Sequence, residues 1–306
     1  MILSCGESLI DMLPRATADG EPAYAPYSGG AVFNTAIALG RLDVPAGFLS
    51  GVSTDLFGEQ LAADLQASNV DTSLLVRSDL HTTLAFVKLT NGHAQYAFFD
   101  ENTAGRMLEK HALPAIPDSV TALHFGAISL IPEPCGSTYE GLMAAMAPSR
   151  VISFDPNIRP NFIPGKAAHL ARMHRMLAMS DIVKVSDEDL SWFGEGGFDE
   201  VAPRWRAMGV KIVIMTRGAD GAVALGPNGK AEVPGVPVTV ADTVGAGDTF
   251  NAGFLASLHG KNLLAKGALS GLRGDDLVEA LSFAARVAAV TVSRPGANPP
   301  WRRELA

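Results

Sequence analysis

Apolar residues recur along this chain in short blocks whose spacing switches between a period of two and a period near 3.6. Ile2 to Gly6 is a short apolar strand, continued from Ser8 to Leu13 with Asp11 set among apolar neighbours. Residues 14 to 28 are rich in Pro, Gly and Ala and read as loop or irregular strand. Ser28-Gly29-Gly30 then opens a helix over Ala31 to Leu42. Ala46 to Gly51 reads as a buried strand and Phe57 to Ser68 as an amphipathic helix. Thr82 to Leu89 and Gln95 to Phe99 are β-rich runs around Asn91-Gly92, a strong hairpin signal.

From Ala122 onward, strands and helices alternate. Strands are expected at Ala122 to Phe125, Val151 to Phe154, Asp181 to Val185 and Lys211 to Thr216, with helices such as Lys166 to Met179 and Glu200 to Met208 between them. That rhythm predicts an α/β fold with a mostly parallel central sheet and helices on both faces. Ala222 to Leu225 and Lys230 to Val233 suggest a late antiparallel hairpin around Pro227-Asn228-Gly229. Val236 to Val240 reads as a further strand, Phe250 to Leu258 and Asp275 to Ser293 as helices, and Arg294 to Pro300 as a Pro-rich closing loop. No internal repeat or low-complexity linker divides the chain. Residues 1–306 are therefore expected to form a single α/β domain with a small β lid, contributed mainly by about 12–28 and 82–100. Such a lid beside a cleft can exclude water from the chemistry.

Composition narrows the function. The 306 residues are 47% hydrophobic, ample for a large core. The net charge of −8 argues against nucleic acid or an anionic membrane as main partner. No uncharged apolar run is long enough to span a membrane. The start MILSCGESLIDML, with Glu7 and no early Lys or Arg, is a poor signal peptide. The two cysteines, Cys5 and Cys135, give no disulfide framework and suit a reducing compartment. These features predict a cytoplasmic protein.

The most informative stretch is Asp242-Thr243-Val244-Gly245-Ala246-Gly247-Asp248-Thr249-Phe250. Small residues at a helix mouth leave N–H groups uncovered where the helix dipole is positive, which makes an anion site. Asp248 beside it is either a favourable first-turn cap or the base that phosphoryl transfer needs next to the transferring group. A second glycine-rich helix entrance, Gly29-Gly30, places Asn34 on the same helix face as Gly30. Asp11 can accept hydrogen bonds from sugar hydroxyls. Asp155, Asn157 and Arg159 point the same way if that segment stays extended, at a strand end where open α/β sheets bind ligands. Ser186 and Asp189 read first as a helix cap, and alternatively as a carboxylate site for Mg²⁺ waters. Thr216 to Gly221 is a turn whose N–H groups can meet phosphates. A P-loop is absent, because positions 224 and 231 are both Ala around Gly229-Lys230, and GAGDTF carries only two of the three glycines of a dinucleotide fingerprint.

DTVGAGDTF resembles the C-terminal signature of the ribokinase-like (PfkB) family of carbohydrate kinases, and Gly29-Gly30 with Asn34 resembles its N-terminal signature. The resemblance runs from Asp11 to the loop Ser293-Arg294-Pro295-Gly296-Ala297-Asn298. It implies ATP-dependent phosphorylation of a sugar hydroxyl, with Mg²⁺ accompanying ATP. Asp248 is then the base, and Gly245, Ala246 and Gly247 the anion hole. Asp11, Gly29, Gly30 and Asn34 contact the sugar, with Phe98 covering it and Arg159 anchoring it. Thr216, Gly218, Gly221 and Ser186 serve the nucleotide. The resemblance also implies a monovalent cation such as K⁺ near Asp242 and the Val244 carbonyl, and Mg²⁺ reached through water from Asp189. Ser186 and Asp189 stand where the family commonly has Asn and, three residues on, Glu.

Within the family, Phe99-Asp100-Glu101-Asn102-Thr103-Ala104-Gly105-Arg106 and DPNIRP are most similar to the bacterial fructokinases. The expected reaction is D-fructose to fructose 6-phosphate, with Phe98 and Phe99 both covering the sugar. Kinases for 2-keto-3-deoxygluconate, ribose or nucleosides remain alternatives within the family. A catalytically silent sugar-binding regulator and a dinucleotide-dependent oxidoreductase are the alternatives outside it. Edge strands of the lid offer a surface for a homodimer.

Overall fold

The computed structural model describes residues 1–90 and 93–305, and only the backbone of residues 87–90 and 93–96. The expected Asn91-Gly92 turn lies outside the described residues. The first third of the chain contains β1 (Ile2–Cys5), β2 (Leu9–Ala16), β3 (Pro22–Gly29), α1 (Ala31–Arg41), β4 (Ala46–Leu49), β5 (Gly51–Ser53), α2 (Leu56–Ala67), β6 (Val70–Asp71), β7 (Val76–Ser78), β8 (Leu84–Thr90) and β9 (His93–Phe99). The middle adds β10 (Ala122–Gly126), α3 (Cys135–Met146), β11 (Val151–Asp155), α4 (Lys166–Met179), β12 (Ile182–Ser186), α5 (Asp187–Phe193) and α6 (Phe198–Ala207). The last third has β13 (Ile212–Thr216), β14 (Ala222–Gly226), β15 (Gly229–Val233), α7 (Ala246–Gly260) and α8 (Gly274–Val292).

The main sheet has nine strands in the order β15-β14-β13-β12-β11-β10-β1-β4-β6. Its strands from β13 to β6 pair in parallel, and β14 and β15 form an antiparallel edge. Successive side chains alternate between the two faces. Ile2, Ala122, Val151, Ile182 and Ile212 join the core under α1, α2, α7 and α8, while Leu3, Leu123, Ile152, Val183 and Val213 join the core under α3 to α6. On the α1/α7 face, the next residue in phase is polar on four neighbouring strands: Ser4, His124, Ser153 and Lys184, all buried. His124 Nδ1 lies 3.0 Å from Ser153 Oγ, and burial lowers the imidazole to about 3, so it is neutral. A polar seam therefore runs under the helices toward the C-terminal ends of the strands, where ligands of such sheets gather.

A second sheet, β3-β2-β8-β9, is built from the segments expected to make the lid. Residues 14–28, read as loop or irregular strand, are largely regular: β2 and β3 pair antiparallel from Leu9↔Gly29 to Ala16↔Pro22. The three prolines in this region, Pro14 opposite Tyr24, Pro22 opposite Ala16 and Pro26 opposite Met12, sit in a ladder whose edge strand β3 tolerates missing N–H donors. The expected strand at Val236 to Val240 is absent. β15 already ends the sheet, so this run has no neighbour to pair with, and Val236, Val238 and Val240 are exposed. No helix among the described residues is long and apolar enough to cross a membrane.

Candidate active site

The DTVGAGDTF turn places a buried carboxylate and uncovered helix N–H groups at one point. Gly245 sits at φ +78° as the N-cap of α7, and a Cβ there would stand 2.7 Å from the Ala297 methyl, so only glycine makes this approach without strain. The Ala246 N–H is partly engaged with the Thr243 carbonyl at 3.3 Å. The N–H groups of Gly247 and Asp248 take no acceptor among the described residues and face the cleft with the positive end of α7.

Asp248 is 7% exposed. Asn34 Nδ2 donates to its Oδ2 at 2.9 Å, and Asn157 Nδ2 lies 3.4 Å from its Oδ1. Thr35 Oγ1 donates to its carbonyl at 3.2 Å, so α1 holds both ends of the residue. Burial raises its carboxyl to about 6; the Asn34 bond, Lys184 and Arg159 oppose that rise, and Asp155 adds to it. Asp248 therefore stands in the first turn of α7 without capping it, because its carboxylate is turned to Asn34 and Asn157 instead of the helix N–H groups, and a carboxyl raised to about 6 lies in the range where a general base works best.

Asp248 lines a cleft of about 350 Å³ together with Asp11, Gly30, Asn34, Phe98, Arg159, Val244, Gly245, Ala246 and Gly247. Ten expected site residues thus meet around one space. Gly29 lies just behind, since a Cβ there would overlap the Asp11 carboxylate. Burial raises Asp11 to about 6. Phe98 meets Phe162 edge-to-face with ring centres 4.5 Å apart, and both rings line the cleft. Phe99 does not cover it: period-two alternation turns it to the other face, 60% exposed and edge-on to Phe86.

The run Asp155, Asn157, Arg159 does not stay extended. Asn157 adopts φ +41°, the chain turns, and Asp155 is buried at 2% exposure under the cleft. Its carboxylate accepts from Lys184 Nζ (3.0 Å), Asn251 Nδ2 (2.7 Å) and the Asn157 N–H (3.1 Å). Lys184 was not anticipated as a site residue. It is buried in β12 yet lines the cleft, with Nζ 2.9 Å from where a Gly247 Cβ would be. Burial works against its charge, but Asp155, Asp189 and Asp248 together hold its pKa above the ordinary value. A lysine inside the apolar run Ile182-Val183-Lys184-Val185 is a signal in itself, because an ammonium is buried only where it is paired.

Ser186 and Asp189 form the capping box first read from sequence: Ser186 Oγ accepts from the Asp189 N–H at 3.0 Å, and Asp189 Oδ2 from the Ser186 N–H at 2.8 Å. Asp189 Oδ1 also accepts from the Ile158 N–H at 2.7 Å, so the residue pins the loop that carries Arg159. Thr216, Gly218 and Gly221 lie one strand further along the sheet edge, Thr216 opposite Ser186, and do not line the cleft. Asp242 bridges the Val244 N–H (3.0 Å) and the Gly296 N–H (2.9 Å), which ties the signature turn to the closing loop.

This is a ribokinase-like α/β architecture with a buried carboxylate, uncovered helix N–H groups and a buried cation at the C-terminal edge of its sheet. The family model described as pfkB family carbohydrate kinase matches residues 1–303, and the chain belongs to that family. It is 59% identical over 267 residues to a fructokinase of Rhizobium leguminosarum bv. trifolii, covering 87% of this chain and 82% of that one. The crystal structure of the Xylella fastidiosa fructokinase with bound ATP superposes with a TM-score of 0.90 at 27% identity, covering 99% and 97% of the two chains. The Vibrio cholerae O395 fructokinase, in a form with fructose, ADP and calcium ion bound, gives 0.84 at 27% identity, covering 97% and 94%.

Proposed function

We propose that this chain is an ATP-dependent fructokinase that transfers the γ-phosphoryl group of ATP to the 6-hydroxyl of D-fructose. The observation that carries the reading is Asp248: a buried carboxylate one residue from uncovered N–H groups, in a cleft lined by Asp11, Asn34 and Gly30. The similarity to named fructokinases supports fructose as the acceptor.

Asp248 takes the proton of the acceptor hydroxyl as its oxygen forms a bond to the γ-phosphorus. The bond from that phosphorus to the β–γ bridging oxygen breaks, and ADP leaves with the electron pair. Charge spreading over the phosphoryl oxygens meets the N–H groups of Gly247 and Asp248, the Lys184 ammonium and the Arg159 guanidinium. Asp11 and the Gly29-Gly30 entrance hold the sugar, and Phe98 with Phe162 keeps water out. Thr216, Gly218 and Gly221 are assigned to the nucleotide beyond the phosphates, next to Ser186. Mg²⁺ bound with ATP supplies neutralisation of the β- and γ-phosphate charge. Asp189, whose two oxygens each accept one main-chain N–H, keeps a lone pair on each for waters of that ion. A monovalent cation fits the remaining lone pairs of Asp242 and the Val244 carbonyl beside the closing loop.

ADP release measured across fructose, ribose, 2-keto-3-deoxygluconate and adenosine tests the reading. The highest kcat/KM is expected with fructose. A higher value with another acceptor would reassign the substrate, and ADP release indifferent to every sugar would remove the kinase reading. The pH profile gives a second check. Because burial raises Asp248 to about 6, kcat/KM is expected to fall as pH drops through 6 and the base takes up its proton. A profile flat down to pH 4.5 would exclude Asp248 as the base.

A further inference from the structure

The junction between the main sheet and the lid sheet carries a side chain with no role so far. Glu7 lies between β1 and β2 and is 9% exposed. Its Oε1 accepts from the Ala31 N–H at 2.8 Å and the Val32 N–H at 3.4 Å, the first turn of α1. Its Oε2 accepts from the Ser129 N–H at 3.3 Å, in the turn after β10. α1 has no capping side chain of its own, because its N-cap is Gly30. Glu7 therefore does from 24 residues away what Ser, Asp or Asn does at an ordinary N-cap.

The contact is interlocked on both sides. Gly30 sits at φ +112°, and a Cβ there would be 2.9 Å from the Glu7 carbonyl. Gly6 packs against Val32, and its carbonyl accepts from the buried Tyr139 hydroxyl at 3.1 Å. One turn along α1, Asn34 donates to Asp248. Glu7 also lines both the catalytic cleft and an adjoining cavity of about 380 Å³, and is one of the residues, with Phe98, Ile128 and Phe162, that the two share.

We propose that Glu7 is a positioning residue for the acceptor: its carboxylate, at the junction of β1 and β2, fixes the entrance of α1, and with it Gly30 and Asn34, against the turn after β10. The nucleotide side of the cleft, on β12 and β13, makes no bond to Glu7 and should not sense its loss, whereas α7 is tied to α1 through the Asn34 and Thr35 bonds to Asp248, so kcat is expected to fall along with acceptor binding. The proposal rests on the kinase reading but not on the identity of the sugar, so it is tested with whichever acceptor the parent enzyme turns over fastest.

The variants are Glu7→Gln, Glu7→Ala and Glu7→Asp. Gln keeps one carbonyl oxygen for the Ala31 N–H but presents an amide NH₂ where a second acceptor is required, so it is the mild variant. The expected result for Glu7→Gln is an acceptor KM raised at least tenfold and an ATP KM within twofold of the parent. Glu7→Ala is expected to raise the acceptor KM further, and Glu7→Asp to recover part of the loss. An acceptor KM within twofold in Glu7→Gln would overturn the proposal. So would equal rises in the two KM values, which would mark a general loss of structure. If Glu7→Ala does not fold, the Gln and Asp variants decide it alone.

Discussion

Replacing Asp248 by Asn is expected to lower kcat by roughly 10²–10⁴-fold, the usual contribution of a general base. The fold should survive, because the amide oxygen of Asn can still accept from Asn34 and the helix N-terminus is unchanged. Stability should even rise at neutral pH. In the folded protein, burial lifts the Asp248 carboxyl to about 6 from an ordinary 3.8, so the folded state binds the proton more tightly than the unfolded chain. The cost of holding it ionised is absent below the unfolded value, grows as pH rises from about 4 through 6, and is fully present at pH 7. Removing it is worth on the order of 1–3 kcal/mol. The measurement is kcat together with thermal unfolding at pH 7. Near-parental turnover in a folded variant would show that Asp248 is not the base.

Lys184→Met should damage both activity and stability. The ammonium is buried at 5% exposure and faces Asp155, itself at 2% exposure. Deleting one partner of such a pair leaves an uncompensated buried charge, at a cost of about 3–5 kcal/mol. The cation beside Gly247 also disappears, and losing one preorganised donor to the transferring group costs about 10²–10³-fold in rate. The double variant Lys184→Met/Asp155→Asn separates the two effects. It should recover much of the thermal stability, since no charge is stranded, yet stay as inactive as the single variant. Recovery of activity along with stability would reduce Lys184 to a structural role.

The contrast between these residues explains what could be read from the chain. Asp248, Gly245 to Gly247, Gly30 and Asn34 were legible because local geometry made them: a helix N-terminus, a missing Cβ, a four-residue spacing on one face. The alternation of strand and helix likewise gave the parallel sheet, since its two cores follow from period-two apolar residues. Lys184 and Glu7 stayed hidden because their partners are distant in sequence, Asp155 for one and the N–H groups of residues 31, 32 and 129 for the other. Asp155 and Phe99 were misplaced for a related reason. Period-two reasoning needs an uninterrupted strand and a known inward face, and Asn157 at positive φ ended the first while the lid decided the second. Val236 to Val240 had strand composition and no neighbour, and composition cannot supply one.

The hydrogen bond from Asn34 to Asp248 joins residues 214 positions apart. A protein emerging from the ribosome therefore presents its glycine entrance long before the base exists. α7, which carries the Asp248 carboxylate, packs on α8, which is made after it. Catalytic competence should switch on only after α8 has emerged, however much of the sheet has already folded. Nascent chains stalled before residue 292 should thus hold secondary structure and no turnover.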